Sequence, residues 1–393
     1  MIEKGECTGC SACFAICSHD AIVMLPNEGG FLYPKIIEDE CVNCGRCDKV
    51  CELANSKAIN HYKGLVALRH RDKDVVCSST SGGAFRLFAD SIIEKGGIVY
   101  GAAYDVDFSV HHIRCESLHE VKRLQKSKYV QSDLHLIYED LAKDLKSGKF
   151  VLFTGTACQC SGVQSFAEHR KLDLSNLLTC DVICHGVPSP KVWLDYLDFR
   201  RAKDGEFLSV DFRNKEKGWR DFRMSITNTS GKKKTYRQNE DYFMILFFHD
   251  YILRESCYQC KFSTIKRKAD ITLGDFWGLE EFYPKFDDDF GTSVLMLNTD
   301  RGKAFFENVN GKCNYISIKE EELTKRQPNL KRPSHKNSSY DKFWKDYQIG
   351  GFEKAIKKYA DYTILGQFKR QYLFKFLYYT GVFPILLRVK NKF

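Results

Sequence analysis

No stretch between Met1 and Tyr359 is apolar enough to cross a bilayer, and Met1, Ile2, Glu3 and Lys4 lead straight to the first cysteine, Cys7, without a secretory leader. These two absences argue against a membrane-spanning body and for a reducing compartment. With 17 cysteines in the chain, thiols that serve metals in a reducing, cytoplasmic interior are expected. No helix pair of a DNA-binding kind is recognisable, so nucleic acid is not an expected partner and an iron-sulfur redox sensor is only a remote reading. Proline is scarce, with 8 in 393 residues. A length of 393 residues implies two or three units with a sizeable core. The formal net charge of +9 could steer an acidic electron partner such as a ferredoxin or flavodoxin, or a phosphorylated ligand, although a solvated basic surface accounts for it equally well.

The cysteines are not scattered. Cys7, Cys10, Cys13 and Cys17 stand at C-x2-C-x2-C-x3-C, and Cys41, Cys44, Cys47 and Cys51 repeat that spacing. Three thiolates on one tight loop reach three corners of a cube, and the fourth corner must be met from elsewhere. In a two-cluster module it is met by the last cysteine of the other run. One 4Fe-4S cluster is therefore assigned to Cys7, Cys10, Cys13 and Cys51, and the other to Cys41, Cys44, Cys47 and Cys17. A zinc site draws two close cysteines from each of two places, and a disulfide framework belongs to secreted chains, so both alternatives fit less well. Ser18 and Glu52 occupy the position after each fourth cysteine, where proline is usual, and no ligand is lost by this.

Between the runs, Ala21 to Leu25 and Phe31 to Ile36 read as a hairpin. A polar stretch from Asn55 to Lys63 follows, with a boundary near His61, and the pattern then changes to alternating strands and helices. A strand at Gly64 to Leu68 and a charged connection lead to Ser78, Ser79, Thr80, Ser81, Gly82 and Gly83. These open a helix with Phe85, Phe88, Ile92 and Ile93 on one side. Such a loop suits a phosphate at a helix N-terminus, or is a plain serine cap. Ile98 to Asp105 and Ser109 to Cys115 read as strands, Ser117 with Glu120 as a capping box, and His135 to Leu145 as a helix ended by Gly148. The basic patch Lys126 to Ser132 could cradle an anionic cofactor, or be a solvated face.

Two apolar strands each end in cysteine. Phe150 to Phe153 run into Thr154, Gly155, Thr156, Ala157, Cys158 and Gln159, and Leu177 to Thr179 lead through Asp181 to Cys184, His185 and Gly186, after which Ser189 caps a helix opened by Pro190. A parallel pair would put Cys158 and Cys184 on one sheet edge, where ligands gather. As two loop cysteines from strand ends they make, with the Cys257 and Cys260 pair, a third four-thiol set, hence a third cluster. The alternative is that Cys158 and Cys184 are buried small hydrophobes. Cys77, Cys115, Cys160, Cys180 and Cys313 read as structural.

Taken together, the stretches Ser78 to Gly83, Lys126 to Ser132, Thr154 to Gln159, Asp181 to Pro190, Phe212 to Trp219, Cys257 to Phe262 and Asp270 to Gly278 resemble the coenzyme F420 hydrogenase/dehydrogenase beta subunit family, in the bacterial form with an N-terminal ferredoxin domain. Ala157 stands where that family usually has proline. The resemblance implies an α+β ferredoxin-like N-terminal module, an α/β flavin-binding body with a mixed sheet, and a helical C-terminal tail. The corresponding boundaries are 1–60, 62–147, 148–318 and 319–393. It also implies FAD beside the third cluster, with Ser79, Ser81, Gly82, Gly83, Lys126, Lys128, Tyr129, Gln131, Thr154, Thr156, Gln159 and Arg213 around the flavin.

The function so implied is an oxidoreductase that passes electrons between a ferredoxin-like partner, the clusters, FAD and a small-molecule substrate. That substrate is either the deazaflavin coenzyme or a sugar- or nucleotide-linked metabolite. The alternative is a multi-cluster electron carrier without flavin. His185 is a candidate proton donor, or a cluster-side hydrogen-bond donor or core histidine. Arg213 and Lys215 could hold an anionic substrate, or be exposed strand charges. From Gln327 to Asp346 the chain is polar and basic, which predicts an extended segment lying over the domain or a linker. The apolar run from Tyr372 to Leu387, interrupted by Gly381 and Pro384, predicts a helix packed on the body or on another protein chain, with a peripheral membrane contact as the alternative.

Overall fold

The computed structural model describes residues 2–54 and 61–362. Among these the strands are β1 (Ile22–Pro26), β2 (Leu32–Ile36), β3 (Gly64–His70), β4 (Ile98–Tyr104), β5 (Val110–Cys115), β6 (Val151–Thr156), β7 (Leu177–Val182), β8 (Phe207–Asn214), β9 (Arg223–Asn228), β10 (Lys233–Tyr236), β11 (Ile271–Asp275), β12 (Ser293–Leu297) and β13 (Cys313–Ser317). The chain divides into two compact units. The first takes the described residues up to Leu194 with Asp211–Phe222 and Leu253–His335, and the second takes Asp195–Val210, Arg223–Ile252 and the described residues from Lys336.

The first unit is built on a mixed sheet ordered β13-β3-β12-β11-β7-β6-β4-β5. β4, β6, β7 and β11 run parallel, and β5, β12, β3 and β13 complete the edges antiparallel. The expected parallel pair is present, with Val151 opposite Leu177 and Thr156 opposite Val182, joined through the helix Ala157–His169. Because side chains alternate along a strand, the short apolar runs serve both faces. Leu152 joins Leu178, Leu295, Phe88 and Phe305 on one side, while Val151 and Phe153 join Leu177, Leu141, Val163 and Phe166 on the other. The helix Ala84–Glu94 buries Leu87, Phe88 and Ile92 on the first of these faces.

The cysteine-rich N-terminus belongs to this unit. Its hairpin pairs Ile22 with Ile36, and Ala12, Ile16 and Val50 enter the core that holds Val163 and Phe166. Tyr138 donates its hydroxyl to the Cys10 carbonyl, and Ser165 Oγ donates to the Val50 carbonyl at 2.8 Å.

In the second unit the helix Tyr242–Phe248 is capped by Asp241, which accepts from Met244 N at 3.0 Å and from the Tyr196 hydroxyl at 2.6 Å. β9 and β10 pair antiparallel, with Met224 opposite Tyr236.

Four expectations are corrected. The charged connection after β3 is a helix, Lys73–Ser78, because Asp72 caps it by accepting from Asp74 N at 2.8 Å. Cys158 lies in the first turn of a helix instead of a loop. The segment expected to be extended as far as Asp346 turns helical from Tyr340, in a run to Tyr359 that kinks at Gly351, whose φ is +67°. Arg213 is not an exposed strand charge; its side chain is 4% accessible. Among the described residues no helix is long and apolar enough to cross a membrane, and the apolar run from Tyr372 to Leu387 lies outside them.

Candidate functional site

The two cysteine runs share one backbone. In each, the third and fifth positions are left-handed: Gly9 (φ +69°) and Ser11 (φ +62°) in the first, Asn43 (φ +53°) and Gly45 (φ +68°) in the second. A single helical turn follows each, Ala12–Ala15 and Arg46–Lys49. Glycine and asparagine tolerate that region best, and two such residues fold the loop back on itself so that its thiols converge.

Cys7, Cys10, Cys13 and Cys51 line a cavity of about 360 Å³ together with Tyr33, Leu53 and Phe262. Burial pushes the Cys10 thiol up to about 12, and the neighbouring Cys7, Cys158 and Cys51 raise it as well. Burial likewise raises Cys13, reinforced by Cys10, Cys7 and Cys51. Facing thiols of this kind cannot all ionise without a cation among them. Cys17, Cys41, Cys44 and Cys47 surround a smaller cavity of about 130 Å³. Cys47 also lines the larger one, and Cys44 is exposed. Around this second run the exposed acids Asp20, Glu38, Asp39, Glu40 and Asp48 outnumber the exposed bases Lys35 and Lys49, so the positive balance of the chain is not expressed there.

The third set comes from three places. Cys158 follows β6, Cys184 lies just beyond β7, and Cys257 and Cys260 belong to the turn that spans Glu255–Gln259 and its C-cap. Burial pushes Cys158 and Cys184 up to about 12, and Cys260 raises both. Cys257 is raised by burial and by Cys184, Cys260 and Cys158. Thr156 Oγ1 lies 3.1 Å from Cys158 Sγ, and Val187 N donates to Cys257 Sγ at 3.5 Å. Cys10 feels Cys158, so the first and third sets adjoin. Gly162 makes this approach feasible, since a Cβ there would lie 2.8 Å from Cys10 Sγ. Among the described residues no three Cys, His, Asp or Glu side chains converge as ligands of a single metal ion. The partly buried, adjoining thiols of the first and third sets suit a polynuclear cluster.

The residues expected around a flavin divide into two groups. Thr80 Oγ1 accepts from Ser127 N at 3.0 Å and so ties the serine-glycine loop to the basic patch. Lys215 Nζ donates to Ser81 O at 3.1 Å and to Val76 O at 2.6 Å. Arg213 Nη1 donates to Asp275 Oδ2 at 2.9 Å and to the Tyr129 hydroxyl at 3.2 Å, and Lys126 pairs with Asp211. Lys128 Nζ sits 5.6 Å over the Tyr104 ring, and burial pushes Lys128 down to about 7 and Lys215 to about 8. Within this group Arg213 Nε and Nη2, Ser81 Oγ and the Tyr104 hydroxyl are buried without a hydrogen-bond partner. Unmet buried donors beside cations fit an anionic ligand rich in acceptors, as FAD is. Asp275, Trp219 and Trp277 fall within the family-like stretches Phe212 to Trp219 and Asp270 to Gly278, yet sequence reasoning assigns them no role. The stacking of Trp219 on Trp277, 4.2 Å between centroids, and the approach of Asp275 to Arg213 join residues far apart in the chain; Tyr104 lies outside those stretches.

The other group has structural partners. Gly82 N donates to Ser293 Oγ at 3.0 Å, and a Cβ on Gly82 would lie 2.4 Å from the Leu68 carbonyl, so this glycine packs against the sheet. Gly83 (φ +89°) begins the helix Ala84–Glu94, and Ser79 ends the preceding one. Thr154 Oγ1 donates to Tyr100 O at 2.9 Å. Thr156 and Gln159 form a capping box, with Gln159 Nε2 donating to Ser132 O at 3.1 Å. Gln131 turns to the N-terminal module, donating to Thr8 O at 2.9 Å. His185 lies 3.4 Å through Nδ1 from Ser334 Oγ, which also donates to its carbonyl.

Residues 148–323 match the family model for the C terminus of the coenzyme F420 hydrogenase/dehydrogenase beta subunit, and residues 6–54 match the 4Fe-4S dicluster domain. The fold is similar to that of a chain in the F420-reducing NiFe hydrogenase complex from Methanosarcina barkeri, at 16% identity and a TM-score of 0.50, covering 74% of this chain and 94% of that one. No curated protein matches in sequence.

Proposed function

We propose that this chain, whose residues 148–323 belong to the coenzyme F420 hydrogenase/dehydrogenase beta subunit family and whose residues 6–54 belong to the 4Fe-4S dicluster domains, is an electron-transfer oxidoreductase with three clusters and a flavin. The observation that carries it is the serial arrangement of three four-thiol sets. The second set adjoins the first through Cys47, and the first adjoins the third through Cys10 and Cys158. When bound, clusters of this kind carry single electrons and FAD takes a pair, so the combination merges or splits an electron pair.

The residues divide the work. Cys7, Cys10, Cys13 and Cys51 hold one cluster, Cys17, Cys41, Cys44 and Cys47 a second, and Cys158, Cys184, Cys257 and Cys260 a third. Arg213, Ser81 and Tyr104 offer their unmet donors to the flavin, with Lys128 and Lys215 supplying positive potential. His185, anchored on Ser334 beside Cys184, acts as a cluster-side hydrogen-bond donor. An electron partner meets the chain at exposed Cys44, where the acidic surroundings favour a basic or neutral contact face over an acidic ferredoxin. The deazaflavin coenzyme and sugar- or nucleotide-linked metabolites are the substrate classes to screen.

A carrier without flavin is the second reading, and the commitment of Gly82 N to Ser293 favours it, because that amide cannot also serve a phosphate. Anaerobic purification with iron, sulfide and flavin counted per chain decides between them. About twelve irons with one FAD support the oxidoreductase, and about eight to twelve irons without flavin support the carrier.

A further inference from the structure

Three buried arginines of the first unit contrast in their partners. Arg213 faces Asp275 at 2.9 Å and Arg267 faces Asp181 at 3.5 Å. Arg254, fully buried, has no carboxylate partner among the described residues. Its Nε donates to the Cys7 carbonyl at 2.7 Å, Nη1 to Gln131 Oε1 at 3.0 Å and Nη2 to the Leu32 carbonyl at 3.0 Å, and its guanidinium lies 4.1 Å from the Tyr33 ring centroid. Gly9 is shaped to it, since a Cβ there would lie 2.8 Å from Nη1.

A buried cation held only by neutral oxygens is unfavourable unless negative charge lies close by. The candidates are the thiolates. Arg254 stands three residues before Cys257, holds the carbonyl of Cys7, and is close enough to Cys158 to act on its charge. It therefore touches the first set and faces the third.

We propose that Arg254 is the shared countercharge of the Cys7 and Cys158 sets and holds their potentials above what bare thiolate ligation would give. This rests on the reading that both sets carry clusters. A nearby cation stabilises the more negative, reduced state, and so raises the potential. The Cys17 set makes no contact with Arg254 and serves as an internal reference.

The test uses the full chain, loaded anaerobically with iron and sulfide, with iron counted and each cluster titrated by electron paramagnetic resonance. The count on the unaltered chain tests the cluster reading by itself, before any variant is made. Arg254→Met is expected to shift the potentials of the Cys7 and Cys158 sets negative and leave the Cys17 set unmoved, and Arg254→Lys to restore them. Arg254→Gln, which keeps a donor for the Cys7 carbonyl, replaces Arg254→Met if the latter loses iron. Loss of iron from both neutral variants with full loading of Arg254→Lys also supports the countercharge. Unshifted potentials in a loaded neutral variant, an equal shift of all three clusters, or iron loss in Arg254→Lys as well would overturn it.

Discussion

Replacing Arg213 with methionine removes the buried fork, stacked 3.8 Å from the Phe222 ring centroid, whose Nε and Nη2 have no hydrogen-bond partner while Nη1 is committed to Asp275 and Tyr129. If the two free groups serve the flavin, each is a charge-assisted hydrogen bond of about 1.5 kcal/mol at the low end of the usual range. Together they amount to about 3 kcal/mol, or roughly a hundredfold in Kd. FAD titrated into the deflavinated full chain, followed by fluorescence quenching, should therefore show that loss in Arg213→Met. Arg213→Lys should fall between, because it keeps the charge and loses the fork. Stability must be separated from affinity. Removing one partner of a buried pair costs about 3 kcal/mol or more, so Arg213→Met also unfolds at lower denaturant. The double variant Arg213→Met with Asp275→Leu should recover much of that stability while its flavin affinity stays low. Wild-type affinity in Arg213→Met would refute the assignment of the unmet donors to the flavin.

The Cys158→Ser variant should retain flavin and drop from about twelve irons to about eight, counted after anaerobic purification. Gly162→Ala sets two effects in opposition. Helix propensity alone would stabilise the variant by about 1 kcal/mol, whereas crowding of the Cys10 thiol is expected to win and cost about 1–3 kcal/mol in thermal unfolding, with loss of iron from the Cys7 set. His112 is buried, with Nδ1 2.6 Å from Ser132 Oγ and Nε2 2.8 Å from Thr154 O, and burial pushes it down to about 4. The unfolded state, with a pKa of about 6.5, then binds a proton that the folded state refuses, so stability falls as pH drops from about 6.5 to 4. The loss is about 3 kcal/mol, and His112→Gln should remove it from the difference between denaturant titrations at about pH 7 and pH 4.

The cysteine spacing alone determined which eight N-terminal thiols group together, because a cube needs three close ligands and one remote one and few other centres ask for that geometry. Strands, caps and the β6–β7 pair were legible for a similar reason. Short-range sterics and hydrogen bonding decide them, as at Ser117 with Glu120, where the capping box is present as expected. The resemblance to the family, carried by short motifs from Ser78 to Gly278, led to the same family model that residues 148–323 match.

Only the tertiary structure decided what those motifs do. Gly82 reads as a phosphate-loop glycine, and it is a glycine because β3 and β12 leave no room for a Cβ. Arg213 reads as an exposed charge on a strand, and it is buried because its partner Asp275, 62 residues away, lies beside it. Arg254 carries no local signal at all. Its neighbours Cys7, Leu32 and Gln131 are separated from it by 247, 222 and 123 residues, and the meeting of a buried cation with two thiol sets exists only once the N-terminal module is packed against the sheet. Local sequence specifies ligand type and spacing, while long-range packing sets the electrostatic surroundings of a charge.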